Sequence, residues 1–373
     1  MNLIAISLIV LGVHNASLPD LCKDAIKHFI DEYECINPGD TYIGKGSSAR
    51  TFLVKEKDGV IKRVLKVELN KEDNQSKIVD SIYRRTKESE HIIKRHKKKI
   101  SKNFIYEIID YGEYGNFAYY MNSQSKPSYK IILSRIRFIA EGLMDLHKAG
   151  FVHADLKLEN IVVNKFYRPV LIDFDLSVRI DSNASPRGSE QYCEPQLLEN
   201  WTKKKLHRYT EGTDKWSLGV MLYKLVMGDF PFNPKGEFSR EEKLALIKKG
   251  KIKFRKGVNF DNVWIIMSLL RRDPQERLDL ETLSIKIKKI LSSQDKEFLR
   301  KTVILNINDK VPENIRELYR MIESESGIGN NTVLLITIEI SILFAFVGIS
   351  LLVYFLVNKN KEDQVENIAE ELN

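Results

Sequence analysis

The stretch FVHADLKLEN, residues 151–160, runs straight into the apolar Ile161, Val162 and Val163 and is followed by LIDFDL at 171–176. It sets His153, Asp155, Lys157, Glu159, Asn160, Asp173 and Asp175 between apolar flanks. Burying such groups is costly unless each finds a partner. Those partners decide how the chain is read.

Working outward, the residues before this stretch, IILSRIRFIAEGLMDLHKAG (131–150), space their apolar positions as a helix does and end on Gly150. Earlier still, TYIGKG, ARTFLVKEK and VIKRVLKVEL read as short strands separated by Gly, Ser or Asp-Gly. A basic stretch, RRTKESEHIIKRHKKKISK (84–102), is expected to be helical. Two further strands are expected in FIYEIIDYGEYG and NFAYYMN, before the polar linker SQSKPS. Beyond Asn160 the apolar spacing is helical again, in KWSLGVMLYKLVMG, EEKLALIKKG, VWIIMSLL and LETLSIKIKKIL. Strands first and helices later describe an α+β chain of two packed lobes with a cleft between them.

On these residues the chain resembles the eukaryotic protein kinase family over roughly residues 37–291. HADLKLEN is similar to the family's catalytic loop H-R-D-L-K-x-x-N. Asp173-Phe174-Asp175 is similar to its D-F-G segment, eighteen residues after Asp155. The resemblance implies the two-lobed kinase fold, with an N-lobe at 37–122 and a C-lobe at 123–291, and ATP with Mg2+ as cofactors. It has Asp155 accept the substrate hydroxyl's proton, or orient it, and sets Lys157 against the transferring phosphate, the serine/threonine pattern. Asn160 and Asp173 become the magnesium ligands. Metal, phosphate and hydroxyl are then the missing partners. IGKGSSARTF resembles the glycine-rich loop, with Gly44 and Gly46 at the phosphates, Ala49 at the third glycine position and Thr51 where valine is usual. Lys66 takes the place of the phosphate-pairing lysine, on a strand covered by Val64, Leu65 and Val67. Glu88 or Glu90 is its implied helical partner, Glu88 being favoured because Ile92 lies one turn along. Ile43 and Val64 would lie above the adenine and Val162 below it. Tyr120, Met121 and Asn122 resemble the interlobe hinge. GSEQYCEPQ (188–196), Asp214, Trp216, Gly219 and Arg277 match structural landmarks, Asp214 being the one that ties down the catalytic loop.

Three departures stand out. Ala154 replaces the arginine that pairs with an activation-loop phosphate, which implies little dependence on such phosphorylation, with Ser182 and Ser185 as bystanders. Gln196 replaces the glutamate that pairs with Arg277, and Glu194 is close by as a substitute. Asp175 replaces glycine, so a second carboxylate stands beside the metal ligand. It either recruits magnesium more firmly or repels the nucleotide.

The composition, 373 residues with a net charge of +8, is that of a globular chain able to bury a sizeable core. Three cysteines cannot form a disulfide framework; Cys22 and Cys35 either pair in an oxidising compartment or stay free. The basic run at 84–102 is a solvated face or a surface for acidic protein or anionic lipid, and its lack of aromatic interleaving disfavours nucleic acid. Residues 1–16 read as a signal peptide, with an apolar run from Leu3 to Val13. Residues 292–332 read as a juxtamembrane stalk, 333–357 as a transmembrane helix and 358–373 as a short tail. The uncharged core of that span is 340–357, closed by Lys359 and Lys361, which puts the tail in the cytosol and the catalytic domain in the lumen or outside the cell. Without a signal peptide the protein is instead tail-anchored with its kinase domain in the cytosol. Thr337, Ser341, Ala345 and Gly348 share one face of the span, either as a homodimer contact or by accident.

Two functions fit. The first is a membrane-anchored, ATP-dependent kinase that phosphorylates serine or threonine in a protein substrate; the second is a pseudokinase scaffold that only binds nucleotide. Retention of the peptide-handling segments G-S-x-x-Y and D-x-W-S-x-G disfavours a small-molecule phosphotransferase.

Overall fold

A computed structural model of the protein describes residues 18–36, 42–45, 49–70, 74–125, 127–232, 238–293, 298–299, 302–309 and 322. The signal-peptide reading, Gly46, the membrane span with its small-residue face, and the tail all lie outside the described residues. Among the described residues no helix is long and apolar enough to cross a membrane.

The first lobe is an antiparallel sheet built from β1 (Tyr33–Cys35), β2 (Tyr42–Lys45), β3 (Ala49–Glu56), β4 (Lys62–Leu69), β5 (Arg95–Ile100) and β6 (Phe104–Asp110). Its order is β1-β3-β4-β6-β5, with β2 also on β3. Side chains alternate between the faces of a strand. Phe52 and Val54 on β3, Leu65 on β4, and Tyr106 and Ile108 on β6 therefore point one way, while Thr51, Val64 and Lys66 point the other. The first face packs against Cys22, Ala25, Ile26 and Phe29, brought by helix α1 (Leu18–Ile26) and the turn after it, and against Tyr33 of β1. The lobe thus begins about twenty residues earlier than the resemblance implies, because this apolar face needs a cover.

Cys22 and Cys35 are joined by a disulfide that staples the cover to the sheet. Of the two readings left open above, the paired one holds. Closing a loop over a separation of 13 residues restricts the unfolded chain, so replacing both cysteines by serine is expected to lower the unfolding free energy by about 3 kcal/mol. Urea denaturation checks this; an unchanged midpoint would mean that the staple adds no stability.

Two local expectations are corrected. The basic stretch at 84–102 is not helical beyond Arg85, where helix α2 (Asn74–Arg85) ends; residues 95–100 form β5. A register shift between Arg95 and Lys97 lets Arg95 and Lys98, three apart, both turn inward. There Asp80 on α2 accepts both at 2.7 Å, and Glu107 on β6 accepts Arg95 at 2.7 Å. NFAYYMN, expected as a strand, is helix α3 (Phe117–Ser123), capped by Asn116, whose side chain accepts from the Tyr119 amide. Phe117, Tyr120 and Met121 are buried on one helical face.

The second lobe is helical: α4 (Tyr129–Lys148), α5 (Pro195–Thr202), α6 (Glu211–Met227), α7 (Arg240–Lys249), α8 (Phe260–Leu269) and α9 (Leu280–Ser292). Helices α4, α6, α8 and α9 enclose the larger core, with Trp216 and Leu143 fully buried. The segment expected to be a stalk is folded in part. Strand β11 (Val303–Asn306) pairs antiparallel with β10 (Lys251–Phe254), and Val303 and Leu305 are buried. Short strands β7 (Phe151–Val152), β8 (Ile161–Val163) and β9 (Pro169–Leu171) carry the polar segments to the lobe's upper surface, where they face the sheet.

Candidate active site

Between the lobes lies a cleft of about 810 Å³ whose lining includes Ile43, Val64, Lys66, Asn160, Val162 and Asp173. An adjoining recess of about 510 Å³ includes Asp155, Lys157, Asp173 and Asp175. The anticipated charged and apolar residues are therefore brought together, with two exceptions. Gly44 lies on β2, opposite Thr51 of β3.

The catalytic-loop segment is held from below by helix α6. Asp214, fully buried, accepts from the backbone amides of His153 at 2.8 Å and Ala154 at 3.0 Å, and pairs with His147 at 2.8 Å. Ala154 has φ of 65° and Asp173 φ of 64°, a left-handed conformation uncommon for residues other than glycine. Such strain persists where surrounding bonds over-determine the backbone, as the Asp214 carboxylate does at Ala154.

Asp155 is nearly buried and fully engaged. It accepts from the Ser189 amide at 2.7 Å, from Lys157 Nζ at 2.8 Å and from Asn160 Nδ2 at 3.0 Å. Lys157 Nζ also donates to Ser189 Oγ at 2.9 Å. Ser189 was missed as a site residue; the signal was present in the G-S pair at 188–189. Gly188 has φ of +114°, and a Cβ there would stand 2.7 Å from the Ala154 carbonyl oxygen, so this approach needs glycine.

Lys66 Nζ meets Asp175 Oδ1 and Oδ2 at 3.1 and 3.2 Å and Glu68 at 3.0 Å. Burial opposes its charge, yet Asp175, Glu68 and Glu107 outweigh that and hold its pKa well above the ordinary value. Burial, followed by the Asp175 carboxylate, raises the pKa of Asp173, against Lys66 and His153.

The two exceptions are Glu88 and Met121. Helix α2 stops at Arg85, so Glu88 falls in the loop beyond it; its side chain is 86% exposed and pairs with Lys87. Glu90 pairs instead with Arg168 at 2.7 Å. Neither reaches Lys66. Met121 faces the second lobe's core from α3, not the cleft. The interlobe segment that does line the cleft is Asp110, Tyr111 and Gly112, which begins on the last residue of β6. A Cβ on Gly112 would stand 2.6 Å from that of Val162, so the segment passes tightly over the cleft floor.

Beside the cleft, the segment at 188–196 is anchored twice. Arg240 and Lys243 of α7 bond to the carboxylate and the carbonyl of Glu190. Glu194 takes the part foreseen for it: fully buried, it pairs with Arg277, and accepts from Thr213 at 2.7 Å while pairing with His207 at 3.0 Å. Gln196 reaches Arg277 only at 3.5 Å.

Compared with known proteins, the chain matches the family model described as Protein kinase domain over residues 39–298. It is 26% identical to a protein described as serine/threonine-protein kinase ULK3 from Xenopus laevis, covering 63% of this chain and 51% of that one. It is 29% identical to an Aurora kinase of Schizosaccharomyces pombe, covering 64% and 67%. It is 28% identical to serine/threonine-protein kinase ATG1a of Arabidopsis thaliana, covering 63% and 39%. The chain spans about half the length of the first of these relatives.

Proposed function

This chain belongs to the protein kinase family, and on that premise we propose that it is a catalytically competent serine/threonine kinase using ATP and Mg2+. The observation that carries this reading is the Asp155–Lys157–Ser189 constellation within 3 Å contacts, whose Lys157 and Ser189 line the same cleft as Lys66. The residues fit magnesium ATP. Among the described residues no three His, Cys, Asp or Glu cluster as a metal cage; magnesium brought by a nucleotide asks for only one or two protein carboxylates, with phosphates and water completing its shell. When bound, the nucleotide supplies the transferable phosphoryl group and the metal the charge that neutralises it.

Asp173 offers its carboxylate to the metal. Asn160 donates its amide nitrogen to Asp155, which leaves the amide oxygen as its metal-facing atom. Asp155 orients the substrate hydroxyl and takes its proton as the oxygen attacks phosphorus. Lys157, held between Asp155 and Ser189, sets a positive charge beside the group in flight. Lys66 would pair with the nucleotide's phosphates, with Gly44 on β2 of the same lobe. Ile43, Val64 and Val162 would hold the adenine, with the backbone of residues 110–112 at its edge. The full chain incubated with γ-labelled ATP and a generic basic protein should yield phosphoserine or phosphothreonine. Nucleotide binding with no transfer supports the scaffold reading instead.

Activation-loop phosphorylation has little to act on. Ala154 offers no guanidinium, and Arg187 in the loop already meets uncharged acceptors, its side chain bonding to Gln75 Oε1 at 3.4 Å and its amide to Tyr209 Oη at 3.0 Å. Replacing Ser182 and Ser185 together by alanine is expected to change kcat/KM by less than about twofold; a drop of tenfold or more in steady-state assays would contradict this.

The Cys22–Cys35 disulfide supports a domain held in an oxidising compartment, consistent with a signal peptide before it and a span after it. Protease protection of the domain in sealed microsomes tests that topology; digestion without detergent refutes it.

A further inference from the structure

Helix α2 brings no carboxylate to Lys66. Its one acidic residue, Asp80, is occupied by Arg95 and Lys98. The helix residues that line the cleft and its recess, Gln75, Ser76, Val79 and Tyr83, carry no charge. Tyr83 meets Phe174 edge-on with ring centroids 5.8 Å apart. Val79, one turn earlier, lines the charged recess beside Glu68, Glu107 and Asp175.

The charge that faces Lys66 comes instead from the segment carrying the metal ligand. Both carboxylate oxygens of Asp175 lie within 3.2 Å of Nζ. The segment is itself fixed. Phe174 is 1% exposed between Tyr83 and His153, and Gln75 donates to the carbonyls of Phe174 at 3.4 Å and Ser177 at 2.9 Å. Glu68, the second acceptor, lies two residues along β4 from Lys66 and shares its face. Glu107, opposite Lys66 on β6, is engaged by Arg95.

We propose that Asp175 is the positioning residue for Lys66, supplying from the Asp173–Asp175 segment the carboxylate that helix α2 lacks. The glycine-to-aspartate change and the missing helical glutamate are then one rearrangement. The nucleotide-facing lysine and the magnesium-ligand segment become a single unit whose charge pairing needs no carboxylate from helix α2. Beside the two outcomes that the sequence leaves open for Asp175, this proposal adds a third role, since Lys66 lies within 3.2 Å of both its carboxylate oxygens. This inference rests on the reading that Lys66 meets the nucleotide's phosphates.

The test is a double-mutant cycle on the full chain, read as the dissociation constant of a fluorescent ATP analogue with Mg2+ and no protein substrate. Asp175→Asn keeps the side chain's size and removes its charge. It should weaken binding about tenfold, as loss of a charge-assisted contact does, and weaken it more than Glu68→Gln does. In a Lys66→Met background the same change should have no further effect. If Asp175→Asn leaves binding unchanged or tightens it, or weakens it equally with and without Lys66, Asp175 is not Lys66's positioning residue. A Glu68→Gln loss as large as the Asp175→Asn loss also overturns it. If Lys66→Met alone leaves binding unchanged, the failure lies in the functional reading of the cleft. Thermal denaturation of each variant, expected within a few degrees of the wild type, separates a folding defect from a binding one, and an unfolded Asp175→Asn is replaced in the cycle by Asp175→Ser.

Discussion

Asp155→Asn is expected to lower kcat by a factor of about 10² to 10⁴, the range that a positioned general base contributes, while nucleotide affinity stays within about twofold. Asp155 makes no contact with the nucleotide-side residues Ile43, Val64 or Lys66; its partners are Ser189, Lys157 and Asn160. All three contacts place a donor against its carboxylate. An asparagine can accept on one atom only, and its amide group would face another donor, so both the proton acceptor and the placement of Lys157 are lost together. Initial rates with γ-labelled ATP, alongside fluorescent nucleotide titration, separate the two quantities. A variant keeping more than a tenth of the wild-type rate would remove Asp155 from the chemistry.

Glu194→Gln is expected to destabilise the protein by about 3 to 5 kcal/mol, because it leaves Arg277 buried without a counter-charge. Both side chains are almost wholly excluded from solvent. Burial alone would push the Glu194 pKa up; Arg277 and then His207 reverse this and hold it at about 2. A carboxylate whose pKa is lowered by folding stabilises the native state at every pH above its unfolded value near 4.3. That contribution, on the order of 3 kcal/mol, disappears progressively as pH falls from about 4.3 to about 2. The wild type should therefore lose stability steeply over that window, and Glu194→Gln should start lower and slope less. Urea denaturation at pH 7 and at pH 3 measures both effects. Equal midpoints for the two proteins at pH 7 would show that the pair is energetically idle.

The chemistry-bearing groups were legible because they lie in short, contiguous segments whose backbone sets their spacing. Asp155, Lys157 and Asn160 sit within six residues, and Asp173 follows across the β8–β9 hairpin. Lys66 was legible because the flanking Val64, Leu65 and Val67 mark its strand as covered, where a solvent-facing lysine is out of place. What failed was whatever depends on where one element ends and which distant element it meets. The partner of Lys66 was sought on a helix placed ten residues too late, since the basic run conceals a bulged strand whose inward residues repeat at three. The interlobe segment was assigned to Tyr120 to Asn122 because an aromatic-rich run reads equally as strand or short helix; Asn116, as helix cap, was the signal that could have decided it. Glu194 was foreseen as the partner of Arg277 by proximity in sequence, but its bonds to Thr213 and His207 join segments that only the fold brings together. The cover formed by α1 lay outside the matched region and had no motif; only the half-buried alternation of β3 and β6 demanded something above them.

The most direct test of the central claim is a crystal structure of the chain with a non-hydrolysable ATP analogue and Mg2+. The prediction is that the metal sits on Asn160 and Asp173, that Lys66 keeps Asp175 while reaching the phosphates, and that the terminal phosphate lies beside Asp155 and Lys157. A nucleotide bound elsewhere, or one whose terminal phosphate points away from Asp155, would contradict it.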